Sequence, residues 1–230
     1  MPRVEPHAAP TEGEPAGRRV SVFAFGSYVE YFKRPVLGRL LCEFLAFGFA
    51  FSTFTTGFAL FAERHLVYDG RPFGSREIGW AYAYSGFIGI VVQGGLIGRL
   101  VKKLGESRLV RLSWIFSTVG YALVALPTTL WPLLAVATVV TLGHSVCRPT
   151  LTSQISQRAD RREQGVVLGL TQSLSAVAQT LAPVLGGFLI DRGALTAWAL
   201  VASVTAAVGL GLSLVGGAAP TLTGAATPPA

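Results

Sequence analysis

The 230-residue sequence predicts an all-α, polytopic membrane protein, with six transmembrane helices arranged as two inverted three-helix repeats. Three observations lead there. Hydrophobic residues make up 51% and charged residues only 13% of the chain, with a mean hydropathy of +0.52, whereas an ordinary globular chain carries about 25% charged residues. The apolar residues gather in runs about as long as a helix needs to cross a bilayer. The basic residues collect in the short intervals between those runs.

Met1–Arg19 is rich in Pro, Gly, Glu and Arg and has no apolar periodicity. It cannot bury enough surface to offset the entropy of ordering it, and is expected to be a disordered arm. Val20–Lys33 mixes aromatics with Ser, Gly and Glu ahead of Arg34-Pro35, which fits a short interfacial helix. Residues 1–35 show no short apolar core followed by a small-residue cleavage site, so a cleaved secretory signal is not expected. The six apolar runs follow: Leu40–Leu60, Ile78–Gly98, Leu109–Leu126, Leu130–Leu151, Val166–Ile190 and Leu195–Val215. They hold 128 of the 230 residues, so residues 36–215 form the transmembrane bundle and leave no room for a folded extramembrane domain. Residues 216–230 are Gly, Ala, Thr, Leu and Pro and are expected to be a disordered tail. The runs are continuous rather than alternating, which favours helices over barrel strands, since a helix satisfies its backbone within lipid.

Charge sets the orientation. Arg3, Arg18, Arg19, Lys33, Arg34, Arg39, Arg99, Lys102, Lys103, Arg108, Arg111, Arg148, Arg158, Arg161 and Arg162 fall on one side if alternate loops are assigned to opposite faces. Only Arg64, Arg71, Arg76 and Arg192 fall on the other, so the positive-inside bias puts both termini in the cytoplasm of a multi-pass cell-membrane protein. The net charge of +7 therefore does not mark a nucleic-acid binder, whose basic residues would share one face of a soluble fold. Cys42 and Cys147 both lie in apolar runs and read as packing residues, with no disulfide framework or CxxC metal site. No cofactor or metal is expected.

Grouped in threes, the second set of runs repeats the first with displacements of 90, 88 and 86 residues. Each middle run ends on a glycine pair followed by a basic residue, Gly94-Gly95 before Arg99 and Gly186-Gly187 before Arg192. Three spans per unit is odd, so the second unit enters from the opposite side, the inverted repeat found in secondary transporters. Short-looped six-helix chains can also show such spacing by chance.

Polar residues recur at helical spacing inside three runs. They are Tyr82, Ser85, Gly89 and Gln93; then Thr138, Thr141, Ser145 and Arg148; then Gly165, Gly169, Gln172, Ser175 and Gln179. Such a face lines a cavity or lets helices pack closely. The small residues fit packing, whereas Gln93, Gln172, Gln179 and Arg148 require a polar cavity or an interhelical bond. The third and sixth runs lack comparable groups and read as outer supports facing lipid. His144 lies one turn from Arg148. The histidine is either a proton relay or a satisfied hydrogen-bonding residue, and the arginine either faces a path or snorkels to the interface. Glu43 pairs with Arg39 four residues earlier, as a structural pair or a coupling carboxylate. Pro183 is expected to bend its helix, with Gly186-Gly187 loosening the next turn. Pro132 fits a first turn and Pro149 is expected to end the fourth helix. An intramembrane enzyme would need convergent catalytic groups, and the spans contain no paired acids, Ser/His dyad or HExxH pattern.

The stretch Gly95-Leu-Ile-Gly98-Arg99-Leu-Val-Lys102-Lys103-Leu-Gly105-Glu-Ser-Arg108 resembles the loop signature of the major facilitator superfamily, in its degenerate copy between the second and third helices of the carboxyl-terminal half. Arg148-Pro149-Thr-Leu-Thr-Ser153, Glu163-Gln164-Gly165 and Ala182-Pro183-Val-Leu-Gly186-Gly187 are similar to the fourth and fifth helices of that half in the tetracycline- and multidrug-efflux branch. The resemblance covers residues 36–215 and implies a proton-coupled antiporter of alternating-access type that exports small molecules. In such a transporter the polar faces read above would supply one wall of a path lined by Tyr82, Gln93, Thr141, His144, Arg148, Gln172 and Gln179. A cytoplasmic latch would be built from Gly95, Gly98, Arg99, Lys102, Lys103, Gly105 and Arg108, its glycines allowing a tight turn and close helix contact. Gly98 stands where the motif has its acid. Family members have twelve helices, so the implied partners are the lipid bilayer, a small-molecule substrate, protons, and a second six-helix half or another copy. The opposing reading is an orphan fragment that inserts in the membrane but transports nothing.

Overall fold

The computed structural model describes residues 25–215, and the proposed disordered arm and tail lie outside them. Helix α1 (Phe25–Lys33) occupies the segment expected to be interfacial. It breaks at Arg34, whose extended backbone is what the following Pro35 demands, and Pro35 then opens α2 (Pro35–His65) at the position where its missing N–H costs nothing. A hairpin of β1 (Val67–Tyr68) and β2 (Arg71–Pro72) follows, pairing Val67 with Pro72 and Tyr68 with Arg71. Its turn is Asp69-Gly70, both at positive φ (50° and 74°), the geometry that an Asp-Gly pair supplies in a two-residue hairpin. Val67 also donates its N–H to the Thr128 carbonyl at 2.8 Å, tying this loop to the one before α6.

Helix α3 (Ser75–Val91) begins where the Glu77 carboxylate accepts the Gly74 N–H at 3.0 Å. It passes through a π-helical turn, Val92–Leu96, into α4 (Ile97–Leu104), so that Ser75–Leu104 is one continuous rod. Gly105, at φ 77°, turns the chain into α5 (Glu106–Leu123). The remaining helices are α6 (Leu130–Arg158), α7 (Gln164–Asp191) and α8 (Leu195–Val215). Five rods are long and apolar enough to cross a membrane: α2, Ser75–Leu104, α6, α7 and α8. The third predicted run is helical too, but α5 is 18 residues long and carries Glu106, Arg108 and Arg111 in its first turns, so its apolar part is shorter than the others. Pro149 does not end the fourth helix as expected. It sits inside α6, which continues to Arg158 because the polar residues after it still form a helical turn against α5.

Several helix contacts are exchangeable between the two trios, although the α6–α7 contact has no counterpart of similar extent between α2 and α3. Exchange of α2 with α6, α3 with α7 and α5 with α8 turns the α2–α7 contact into α6–α3 and α2–α8 into α6–α5. It leaves α5–α8 and α2–α6 unchanged, and all of these pairs are in contact. Helices α5 and α8 pack together, with Ile115, Phe116, Val119, Leu200, Val204 and Val208 exposed, although α8 is better buried than either the Ser75–Leu104 rod or α7. Their inner faces are tied by buried polar bonds: Trp198 Nε1 donates to the Thr53 carbonyl at 2.9 Å, and Ser203 Oγ to the Thr118 carbonyl at 2.9 Å. In lipid such bonds, with close packing at small residues, replace the hydrophobic drive. Gly143 of α6 lies against the Ser113–Ser117 backbone of α5, and Gly209 of α8 lies against the Trp114 ring. Cys147 is buried in the core as expected, whereas Cys42 is exposed on α2 and packs against nothing that hides it.

Candidate functional site

A cavity of about 1000 Å³ lies between α2, α3 and α6. One wall is an aromatic stripe on α2, Phe47, Phe51, Phe54 and Phe58, whose spacings of four, three and four residues keep them on one helix face. Phe47 stacks on Phe51 with centroids 5.8 Å apart, and Phe54 lies 5.5 Å from Phe58. The Tyr82 ring of α3 meets Phe58 edge-on at 5.4 Å and gives its hydroxyl to the Thr55 carbonyl at 2.9 Å, which fixes it across the gap. The opposite wall is polar, with Thr141, His144, Ser145 and Arg148 on α6, and Gln93 in the π turn of the Ser75–Leu104 rod borders the space from the α3 side. The His144 ring stands edge-on to Phe51 at 5.1 Å, with its Nδ1 buried and unpartnered. Pro149 has no N–H for the Ser145 carbonyl one turn back, so that acceptor lacks its ordinary helical donor where both residues border the cavity.

Five of the seven residues expected on the path, Tyr82, Gln93, Thr141, His144 and Arg148, thus share one cavity. Gln179 does not. It lines a smaller cavity of about 250 Å³ with Ser175 and Ser52, and Arg148 borders both spaces. Gln172 lines neither and is exposed on α7, on the same face as Ser175 and Gln179 but further along the helix. Thr138, on the same α6 face, is occupied by Tyr84, whose hydroxyl lies 2.8 Å from its Oγ1. The aromatic stripe was missed as a site feature, although its spacing was there to be read.

The loop motif is split in its behaviour. Gly105 makes the tight turn, but a side-chain carbon at Gly94, Gly95 or Gly98 would meet nothing within 4 Å. The close helix contact expected of these glycines is therefore absent within this bundle, because no element of the described chain covers that face. Arg99, Lys102, Lys103 and Arg108 are exposed and form no ion pair among the described residues. The ordered contacts near these ends lie elsewhere. Glu106 of α5 accepts from Ser153 Oγ at 2.9 Å and Gln157 Nε2 at 3.2 Å on α6. Arg34 grips Glu163 through two bonds of 2.7 and 3.1 Å, joining the starts of α2 and α7. That hydrogen-bonded fork lowers the Glu163 pKa and raises that of Arg34. Glu43 is 1% exposed with Arg39 Nε 3.6 Å from its carboxylate, an ion pair too long for a hydrogen bond, and it borders neither cavity. Pro183 and Gly186 lie inside α7, where Pro183 leaves the Gln179 carbonyl without a helical donor, and Gly187 is open on its outer side.

Helices long and apolar enough to cross a membrane thus surround a solute-sized, half-aromatic cavity. The chain belongs to the Major Facilitator Superfamily, whose family model matches residues 2–183. It is similar to "Multidrug resistance protein 2" of Bacillus subtilis (strain 168), 29% identical over 73% of this chain and 40% of that protein. A second relative, "Multidrug resistance protein 1" of the same organism, is 29% identical over 72% of this chain and 41% of its own length. "Quinolone resistance protein NorA" of Staphylococcus aureus (strain COL) is 24% identical over 64% of this chain and 36% of its own. The chain thus spans about two fifths of the length of the curated relatives it matches.

Proposed function

We propose that this chain is the carboxyl-terminal six-helix half of a proton-coupled efflux transporter that moves small, lipophilic molecules by alternating access, with both termini cytoplasmic. The observation that carries the reading is the cavity of about 1000 Å³, with an aromatic α2 wall facing a polar α6 wall in a bundle of this family. Multidrug-resistance relatives support the substrate class. The Ser75–Leu104 rod is the moving part in this account: it is scarcely buried, it carries a π turn at Gln93-Gly94-Gly95, and such turns loosen a helix where function needs it. Its uncovered glycine face is where a second six-helix half or another copy would dock, with Arg99, Lys102, Lys103 and Arg108 as the cytoplasmic latch.

The test is transport of small fluorescent aromatic compounds into proteoliposomes under a pH gradient, with the chain alone and with a candidate amino-terminal half. Gradient-dependent accumulation abolished by a protonophore in either preparation supports the reading. Accumulation that survives collapse of the gradient removes proton coupling, and no accumulation in either preparation leaves the chain as a membrane fragment without transport.

A further inference from the structure

The charges around the cavity are one-sided. Among the residues bordering either cavity there is no aspartate or glutamate, while Arg148 borders both. Its guanidinium has no carboxylate partner among the described residues, whereas Arg34 is held by Glu163 and Arg39 by Glu43. The acid closest to this wall through hydrogen bonds is Glu106, which is taken by Ser153 and Gln157. Further groups able to donate border the same space, Ser145 on α6 and Gln93 across the gap, while the Thr152 hydroxyl is spent on the Arg148 carbonyl at 2.9 Å. A guanidinium presents a planar fork of donors that fits a carboxylate or sulfonate in two bonds, and such charge-assisted bonds are about twice as strong as neutral ones. Facing it is the aromatic α2 wall, with Phe47 stacked on Phe51 and Phe54 tilted by 41° against Phe58, a surface for a flat aromatic solute.

Resting on the reading of this cavity as the solute site, we infer that it selects planar aromatic anions, with the ring system on Phe51 and Phe54 and the acidic group on Arg148, and that it rejects the corresponding aromatic cations. Phenylalanine faces attract cations weakly, but a cation here would also stand beside an unneutralised guanidinium, and that repulsion outweighs the ring attraction.

The experiment is a calorimetric titration of the full chain in discs of neutral phosphatidylcholine, so that no lipid charge biases the result. The matched probes are 2-naphthoate and 2-naphthylmethylammonium. Naphthoate is expected to bind about tenfold or more tighter than the cation. Arg148→Gln, checked for folding by circular dichroism, removes the preference, Arg148→Lys restores part of it, and Phe51→Leu weakens both probes while leaving their ratio unchanged. Equal affinity, a preference for the cation, binding of neither probe, or an unchanged ratio in Arg148→Gln overturns the inference. Naphthoate binding without vesicle transport keeps it and overturns the transport reading, whereas transport of the cation with no naphthoate binding does the reverse.

Discussion

Replacing Gly143 by alanine tests the packing that holds the cavity wall in place. A Cβ at this position would lie 2.7 Å from the Ser117 backbone nitrogen and 3.0 Å from the Ser113 carbonyl oxygen, both across the α5–α6 contact. These are backbone atoms of a helix and cannot rotate aside. Reaching an ordinary contact near 3.4 Å from 2.7 Å requires α5 and α6 to part by about 0.7 Å. A gap of that size forfeits a quarter to a half of each dispersion contact along the seam, and overpacking of a rigid core costs up to about 3 kcal/mol. The better helix propensity of alanine returns about 1 kcal/mol, leaving a net loss of about 2 kcal/mol. Gly211 on α8 is the control, because a Cβ there meets nothing within 4 Å, so Gly211→Ala should be neutral or slightly stabilising. Thermal unfolding in one detergent, followed by circular dichroism, compares the pair. If Gly143→Ala melts at or above the unmodified protein, the close α5–α6 seam is wrong.

Trp198→Phe keeps the buried ring but deletes the 2.9 Å bond to the Thr53 carbonyl, and should lower stability by about 1 kcal/mol in the same melting assay; an unchanged midpoint would mean that the α2–α8 bond contributes nothing. The Arg34–Glu163 fork is 40% and 30% exposed, so Arg34→Gln should cost less than about 1 kcal/mol. Because the fork lowers the Glu163 pKa, its contribution is present above the ordinary glutamate range and is lost as pH falls through the folded value. The difference between wild type and Arg34→Gln should therefore shrink on acidification, and a difference that grows would refute the assignment. Gly95→Leu should leave the melting of this bundle unchanged, since nothing lies within 4 Å, yet abolish transport once a second half is supplied; full transport would show that this face docks nothing.

Hydrophobic length and the placement of basic residues were enough to read the helices from the sequence, because lipid forces every backbone group into internal hydrogen bonds. The trio spacing has a partial counterpart in exchangeable helix contacts, and contact pairs carry no direction by which to read an inversion. Tyr82, Gln93, Thr141, His144 and Arg148 converge because polar residues at helical spacing must share a face, and hydrocarbon leaves that face only a cavity or a partner to turn to. Periodicity alone places a residue on a face without fixing which neighbour the face meets, and so Gln172 and Gln179 fell outside the main cavity. The α2 phenylalanines escaped notice because an aromatic stripe in an apolar run carries no polar contrast, although its spacing was visible. Pro149 was misread as a stop because local propensity disfavours it mid-helix, while the packing of α6 against α5 overrides that cost. The Asp69-Gly70 turn was a readable hairpin signal hidden between two long apolar runs.

Whether the α2–α3–α6 space is a water-accessible solute path is decided most directly by cysteine labelling in proteoliposomes. Single cysteines replace Gln93 and Ser85 at the cavity and Phe116 and Val204 on the outer face, in a background lacking Cys42 and Cys147. A membrane-impermeant maleimide should modify the first two and spare the last two, and a bound aromatic solute should slow the reaction at Gln93 and Ser85. Modification confined to Phe116 and Val204, or rates at Gln93 and Ser85 that ignore the solute, would contradict the account.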